Sequence, residues 1–284
     1  MNDFFLSGDA PRERPLSLHH LCALEVTPTE LISLAAEAGC DHVCLFTHVP
    51  EAARHVYPMV RPTDVAALGA HMAASGVSLL NLEVFPLDGT EDEARFDAAL
   101  ATGAALGARR ATAHVHAADR ATAIARFGRF CDLAARHGIV AGLEFNAFSA
   151  VRDIGSAAAV VRAAARANGG LVCDMLHLVR SGGTPDDVAA AADLIGYAQI
   201  CDGPATIAEA DRWHEAIRER MLPGSGDFPI VEALRHLAGD AVIEIEVPQT
   251  AARKAGTSAR ERVTRAVAAT RAVLRQVDSE ERPA

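Results

Sequence analysis

The sequence predicts an α/β protein built as a single (β/α)8 barrel, and two observations lead to this fold class. Eight short apolar runs alternate with eight segments of helical pattern between residues 16 and 284, and no linker separates them. The runs are continuously apolar, which is typical of parallel strands buried on both faces. A barrel of eight such units needs about 250 residues, and the chain has 284. An open doubly wound sheet is the second choice, but it would be expected to carry a glycine-rich phosphate loop after an early strand, and this sequence has none.

The barrel is predicted to be one domain over residues 16–284, preceded by a loose arm. Residues 1–15 are assigned to the arm because Pro11 and Pro15 interrupt any regular element. The eight strands are predicted at residues 16–22, 41–46, 77–85, 109–116, 139–145, 171–174, 195–201 and 241–247.

Four of the helices are predicted from signals at their N-termini. Each signal is a serine or threonine cap with an acidic residue three positions later. The four pairs are Thr27 with Glu30, Thr90 with Glu93, Thr184 with Asp187, and Ser258 with Glu261. The last of these helices has an apolar stripe made of Val263, Val267, Leu274 and Val277.

The composition argues against several classes of function. The formal net charge is −10, which disfavours binding of a nucleic-acid backbone, although one or two arginines could still hold a small anion. The first residues lack the pattern of a signal peptide, and no run approaches the roughly 18 apolar residues of a membrane span. The six cysteines form no C-x-x-C pair, as expected of buried thiols in a reducing compartment. We therefore expect a cytoplasmic protein with a small-molecule substrate and no nucleic-acid or membrane partner, and the sequence allows a homo-oligomer.

Acids and histidines recur at the carboxyl ends of the predicted strands, where the active sites of such barrels lie. Residues two apart in a strand share a face, so Glu244 and Glu246 point the same way, as do His114 and His116. Inward is favoured for the two acids, because a pair facing the helices would be buried against apolar side chains. The residues at these ends are Glu83, His114, His116, Glu144, Asp174, His177, Gln199, Asp202, Glu244 and Glu246.

Three of these carboxylates, Glu144, Asp174 and Glu246, would repel one another in a single barrel mouth unless a cation lies between them. Oxygen-rich ligands with one amide or imidazole suit Mn²⁺ or Mg²⁺, with Co²⁺ and Zn²⁺ as alternatives. The competing interpretation is a salt-bridge network in which the acids pair with arginines such as Arg109 or Arg180.

Five motifs in the second half of the chain carry a resemblance. They are LEFNAF around Glu144, CDMLHLVRSGG around Asp174, YAQICDGP around Gln199, RERMLPGSGDFPI after the seventh strand, and IEIEVP around Glu246. Together they resemble the sugar phosphate isomerase/epimerase family, the xylose-isomerase-like TIM barrels of the AP endonuclease family 2 superfamily. The match is close over about residues 139–248, and the first half is similar in layout only.

The resemblance implies one metal ligand from each of the last four strands, namely Glu144, Asp174, Gln199 and Glu246. It also implies that His177 faces the substrate and that Arg220 binds it. In the commoner epimerase pattern the ligand on the seventh strand is histidine. Glutamine at that position is similar to bacterial 3-dehydroshikimate dehydratases of the same superfamily.

The expected reaction is proton abstraction next to a carbonyl, with a metal-stabilised enediolate. The first hypothesis is an isomerase or epimerase of a small keto-sugar or related polyol, in which Glu144 and Glu246 exchange protons at one carbon. The second is a lyase of the 3-dehydroshikimate dehydratase type, with His177 as acid or base. His116 and Glu83 are candidates for substrate binding, and the alternative for each is a hydrogen bond within the protein.

Two further classes are disfavoured. A nuclease similar to endonuclease IV would need extra histidines for a trinuclear zinc site and a less acidic chain. A binding subunit without activity would have no need to keep all four presumptive ligands. Trp213 is expected to line or cover the pocket or to make a subunit contact. For His20 and His48, a packing role is slightly favoured over contact with the substrate.

Overall fold

The structure is a computed structural model that describes residues 14–117 and 119–279. Eight parallel strands form a closed barrel in sequence order, and β1 pairs with both β2 and β8. The predicted fold class is therefore confirmed. Most of the predicted N-terminal arm lies outside the described residues, which begin at Arg14. Over the same ranges, no helix has the length and apolar character needed to cross a membrane.

The eight strands are close to their predicted positions. They are β1 (Leu16–His19), β2 (His42–Phe46), β3 (Ser78–Leu87), β4 (Arg110–Val115), β5 (Val140–Glu144), β6 (Gly169–Asp174), β7 (Ile195–Ile200) and β8 (Val242–Ile245). The prediction for β1 was wrong at its end, because residues 20–23 form a 3-10 turn (His20–Ala23). The side chain of His19 accepts a hydrogen bond from the Leu21 amide and turns the backbone there.

Helices cover the outside of the barrel. They are α1 (Pro28–Ala38), α2 (Val65–Ser75), α3 (Glu93–Ala105), α4 (Arg120–Ala135), α5 (Ile154–Ala164), α6 (Met175–Arg180), α7 (Pro185–Ala191), α8 (Arg212–Arg218), α9 (Ile230–Arg235), α10 (Thr250–Lys254) and α11 (Ala259–Ser279). The four predicted stripe residues of α11 are all buried.

Three of the four predicted helix starts are found. Thr27 with Glu30 and Thr184 with Asp187 form complete capping boxes, and Ser258 Oγ accepts a hydrogen bond from the Glu261 amide. The fourth was wrong, because Asp92 caps α3 by accepting from the Arg95 amide. The hydroxyl of Thr90 instead donates to Asp88 at 2.7 Å, within the preceding turn.

Alternation along the strands separates an apolar shell from a polar barrel interior. Residues that face the helices, such as Leu18 and Ile245, belong to the hydrophobic core. The inward residues hydrogen-bond across the barrel: Asn81 Nδ2 on β3 donates to Tyr197 OH on β7 at 3.0 Å, and Ser17 Oγ on β1 donates to Glu244 Oε2 on β8 at 2.8 Å. This interior leads upward to the carboxyl ends of the strands, where the candidate site lies.

Candidate active site

A cavity of about 300 Å³ opens at the carboxyl ends of the strands. Its outer wall is aromatic and includes Phe46, Tyr57, Phe148 and Trp213. Its inner part is ionisable and contains His19, Glu83, His114, Glu144, His177, Arg220 and Glu246. The pocket therefore combines an apolar mouth with a charged inner end.

Glu144, Asp174 and His177 form a buried cluster whose potential ligand atoms all lie within 4.8 Å of one another. Asp174 ends β6 and caps α6, with Oδ1 accepting a hydrogen bond from the Leu176 amide at 2.7 Å. Because α6 follows the strand directly, His177 lies one turn beyond Asp174. Burial lowers the pKa of His177, and its Nδ1 is buried without a hydrogen-bond partner.

Glu144 ends β5 and accepts a hydrogen bond from His114 Nε2 on β4. The two residues are paired in register, so neighbouring strands fix this contact. Burial acts to lower the pKa of His114, but the charge and hydrogen bond of Glu144, with the charges of Glu83 and Asp174, together outweigh it and the net shift is upward. His114 thus supports Glu144 from the side.

Arg220 lies between two of the predicted ligands. Its guanidinium donates to Asp174 Oδ2 at 2.8 Å and to Glu246 Oε1 at 3.0 Å, and its Nε donates to the Ala216 carbonyl at 3.0 Å. Burial raises the pKa of Glu246, and Arg220 opposes that shift. The second carboxylate oxygen of Glu246, Oε2, is buried and has no hydrogen-bond partner.

The alternative interpretation, in which the acids pair with arginines, therefore describes part of the site. The arginine is Arg220 and not one of those that the sequence suggested. Arg180 does not approach the predicted ligands but pairs with Glu215, donating from Nε at 2.7 Å. Arg220 supplies the positive charge to Asp174 and Glu246 instead.

Gln199 lies beneath the cavity and is fully buried. It pairs in register with Asp174 on β6 and with Glu244 on β8. Its Nε2 donates to Glu83 Oε1 and Glu244 Oε1, whereas its Oε1 has no hydrogen-bond partner. Burial raises the pKa of Glu244 to about 7.

Glu83 and His116 both line the pocket, as a role in substrate binding requires. Glu83 already has a protein partner, since His19 Nε2 donates to its Oε2 at 2.8 Å. Burial acts to raise the pKa of Glu83, but His19, His114 and the hydrogen bond from Gln199 together outweigh it and the net shift is downward. Burial lowers the pKa of His116, which lies half-buried at the rim.

His19 and three residues of the aromatic wall, Phe46, Tyr57 and Phe148, were missed by sequence reasoning. Strand parity could have found His19, because it shares the inward face of β1 with Ser17. His20, in contrast, packs in the interior on Phe46 with ring centroids 6.0 Å apart, and His48 packs on Phe85 at 5.5 Å. Trp213 does line the pocket, and it meets Phe148 edge to face at 4.9 Å.

Asp202 organises the loop that follows Arg220. Its carboxylate accepts hydrogen bonds from the backbone amides of Gly203, Gly226 and Phe228 at 2.8 to 3.1 Å. A Cβ on Gly226 would lie 2.4 Å from the Gly203 carbonyl oxygen, so only glycine fits this close approach. The loop between β7 and α9 is thus tied to the end of β7.

The donor set at this end of the barrel suits a divalent cation. Glu144, Asp174, Gln199 and Glu246 offer carboxylate and amide oxygens from four adjacent strands, a set preferred by Mg²⁺ and Mn²⁺. Two of the oxygens, Gln199 Oε1 and Glu246 Oε2, are buried acceptors without a donor in the protein. Buried polar atoms are usually paired, so these two are consistent with a ligand role.

Comparisons with known proteins place this geometry in context. A family model described as xylose isomerase-like TIM barrel matches residues 32–272. No curated protein matches the sequence.

Solved structures with the same fold include an IolI protein with a bound zinc atom (TM-score 0.75, 18% identity, covering 93% of this chain and 99% of that one). D-psicose 3-epimerase with D-tagatose from Clostridium cellulolyticum H10 is also similar (TM-score 0.71, 13% identity, covering 93% and 99%). A xylose isomerase-like TIM barrel/4-hydroxyphenylpyruvate dioxygenase fusion protein aligns with 96% of this chain at 19% identity (TM-score 0.78), and the chain spans only 45% of its length. Likeness at these identities shows the fold.

Proposed function

The chain belongs to the xylose isomerase-like TIM barrel family, and from this premise we propose that it is a divalent-metal-dependent isomerase or epimerase of a small keto-sugar or related polyol. The observation that carries the proposal is the convergence of Glu144, Asp174, Gln199 and Glu246 at one end of the barrel. Two of their buried oxygens lack protein donors, and the cavity lies directly above.

The same four residues would hold the metal. A divalent cation there supplies Lewis-acid stabilisation of the negative charge that develops on substrate oxygens during proton abstraction. The alternatives for its identity are Mn²⁺, Mg²⁺, Co²⁺ and Zn²⁺, and the zinc atom bound by the IolI protein, which has the same fold, supports a metal in this chain.

Glu144 and Glu246 are proposed to move the proton. Both line the cavity, and they come from β5 and the end of β8, three strands apart around the barrel. A substrate carbon held between them could lose a proton to one carboxylate and receive a proton from the other, which inverts its configuration. His114 orients Glu144 through its hydrogen bond, and Arg220 orients Glu246.

His177 and Arg220 are proposed to bind substrate oxygens. His177 has a buried Nδ1 with no partner in the protein, so it can exchange a hydrogen bond with a substrate hydroxyl. The Arg220 guanidinium reaches the cavity between Asp174 and Glu246. His116 and Glu83 line the remaining polar edge.

A lyase of the 3-dehydroshikimate dehydratase type is the second candidate. Gln199 at the seventh strand and the aromatic wall of the pocket favour it, because a carbocyclic substrate has an apolar ring face that can pack on Phe148 or Trp213. In this reaction a proton next to the carbonyl is removed and the β-hydroxyl leaves as water, with His177 as acid or base.

One experiment separates the two candidates. Protein loaded with Mn²⁺ is incubated in D₂O with a panel of ketohexoses, and with dehydroshikimate in parallel. Deuterium incorporation next to the ketose carbonyl supports the epimerase, and a new aromatic absorbance supports the lyase. The Glu144→Gln variant is the control and should do neither. Protein that binds no divalent ion and is indifferent to chelator would refute both.

A further inference from the structure

The carboxamide of Gln199 is held between two carboxylates in the barrel interior. Its Nε2 donates to Glu83 Oε1 at 3.0 Å and to Glu244 Oε1 at 3.3 Å. Gln199 and Glu244 are fully buried, and Glu83 is 7% exposed. Both hydrogens of the amide are therefore committed to acids on neighbouring or opposite strands.

Each of these acids is itself fixed by donors from other strands. His19 Nε2 donates to Glu83 Oε2 at 2.8 Å. Ser17 Oγ donates to Glu244 Oε2 at 2.8 Å, and Tyr197 OH donates to Glu244 Oε1. In their ionised forms these carboxylates only accept hydrogen bonds, and the NH₂ side of the Gln199 amide faces both of them.

This arrangement determines where the other end of the amide points. Nitrogen and oxygen lie on opposite branches of a planar carboxamide, so Oε1 is directed away from Glu83 and Glu244. It is buried and has no hydrogen-bond partner. Gln199 is in register with Asp174 on β6, which puts its amide beside another predicted metal ligand.

We propose that Glu83 and Glu244 are positioning residues that hold the Gln199 amide with Oε1, and not Nε2, toward the divalent cation. The inference rests on the metal site of the proposed function. An amide turned by 180° would present N–H groups to the cation and oppose its binding, so fixing the orientation raises metal affinity. Groups that orient a metal ligand typically change affinity 10- to 100-fold when they are removed.

The two acids are matched to glutamine at this position. A histidine that binds a metal through one ring nitrogen has a single N–H left to donate, whereas the Gln199 amide has two. Glu244 does not line the cavity, so it acts through Gln199 and not through the substrate.

The test measures metal affinity without turnover, by titrating Mn²⁺ into metal-free protein and following the free ion by electron paramagnetic resonance. Glu244→Met removes one acceptor at similar volume, and Glu244→Gln keeps an acceptor oxygen. Both are made in the wild type and in a Gln199→Ala background. Tyr197→Phe is the matched control, because it removes a buried hydrogen bond to Glu244 but leaves both acceptors of Gln199 in place.

We expect Glu244→Met to weaken Mn²⁺ binding 10- to 100-fold, and Glu244→Gln to bind within threefold of wild type. In the Gln199→Ala background the Glu244→Met change should have no further effect, since the residue acts through the amide. Tyr197→Phe should lower stability and leave affinity within threefold. If the Glu244→Met protein does not fold, Glu83→Met removes the other acceptor of the Gln199 amide. Its effect on Mn²⁺ affinity is then measured in the same two backgrounds.

The positioning role would be overturned if folded Glu244→Met bound Mn²⁺ as tightly as the wild type. It would also be overturned if Glu244→Met weakened Mn²⁺ binding equally in the wild type and in Gln199→Ala. Either result would leave the metal site intact. Absence of Mn²⁺ binding by the wild type would instead overturn the proposed function, and this inference with it.

Discussion

The acids inside the barrel differ chiefly in the residue that donates a hydrogen bond to each of them. Glu144 meets His114, Asp174 and Glu246 share Arg220, Glu83 meets His19, and Glu244 meets two hydroxyl groups. Burial of an unpaired charge is costly, so each carboxylate is kept by a specific partner. A single substitution here changes the hydrogen bonding of at least two residues.

Gln199→His tests this at the position that departs from the commoner family pattern. We expect the variant to retain metal, because imidazole is also a ligand, but to change substrate preference or rate. One of the two carboxylates loses its N–H donor, which costs about 1–3 kcal/mol of folding stability. Metal content by mass spectrometry and urea unfolding measure the two effects, with Gln199→Ala as the reference that should bind metal weakly. Complete loss of metal from the histidine variant would contradict the ligand assignment.

His20 gives a prediction about pH that is independent of the metal site. It is fully buried, and burial lowers its pKa to about 4. The unfolded chain has the ordinary pKa near 6.5, so below that pH it binds a proton that the folded state excludes. This contribution to stability is therefore complete above pH 6.5 and is lost as the pH falls toward 4.

Between pH 7 and pH 5 the His20 contribution should fall by about 2 kcal/mol. His20→Gln, which does not titrate, should lose that much less stability over the same range in urea unfolding. The same change at the exposed His236 is the control and should leave the pH dependence of the wild type unaltered. An identical pH dependence in His20→Gln and wild type would show the prediction to be wrong.

At the scale of elements, the segment between β7 and α9 connects the fold to the site. Asp202 holds it through three backbone amides, and the Arg220 amide donates to the Pro248 carbonyl beyond β8 at 2.9 Å. Arg220 is thereby fixed at its backbone as well as through its guanidinium. We therefore expect the geometry of the cavity to depend on this loop.

Gly226→Ala tests that dependence. The added Cβ would collide with the Gly203 backbone oxygen, so the loop must shift, at a cost of roughly 1–3 kcal/mol in stability. Displacement of the Arg220 segment should lower kcat/KM roughly 10- to 100-fold. Gly239→Ala is the matched control, because a Cβ there meets no atom within 4 Å. Activity equal to that of the control would show that the loop does not position the site.

At the scale of the whole molecule, closure of the barrel brings together residues far apart in the chain. Ser17 and Glu244 are 227 residues apart and share a hydrogen bond because β1 pairs with β8. A metal bound at the ends of β5 to β8 would connect four strands at once. Such a ligand stabilises the folded state, since the unfolded chain does not assemble its site.

Removal of the metal should therefore lower the stability of the entire barrel. At a free metal concentration 100 times its Kd the stabilisation is about 2.7 kcal/mol, which for a chain of this size raises Tm by roughly 5–10 °C. Thermal unfolding with Mn²⁺ and with a chelator measures it. Glu144→Gln should show a smaller difference, and equal Tm values for the wild type in both conditions would contradict the metal site.

The sequence by itself determined the barrel and the residues at the ends of its strands. Local features can be recognised in the sequence alone. They include the eight continuously apolar runs, the helix caps at Thr27 and Thr184, and the five motifs. The cap of α3 and the end of β1 were not predicted correctly. Asp88 binds the hydroxyl of Thr90 and His19 binds the Leu21 amide, and short sequence patterns do not show these contacts.

Only the tertiary structure decided which groups face one another. That Arg220 bridges Asp174 and Glu246, that Glu83 and Glu244 hold Gln199, and that Phe148 meets Trp213 are contacts between distant segments. Spacing along the chain carries no information about the direction of a side chain across the barrel. Those directions follow from strand register and barrel closure, so the contacts within the site could be identified only from the tertiary structure.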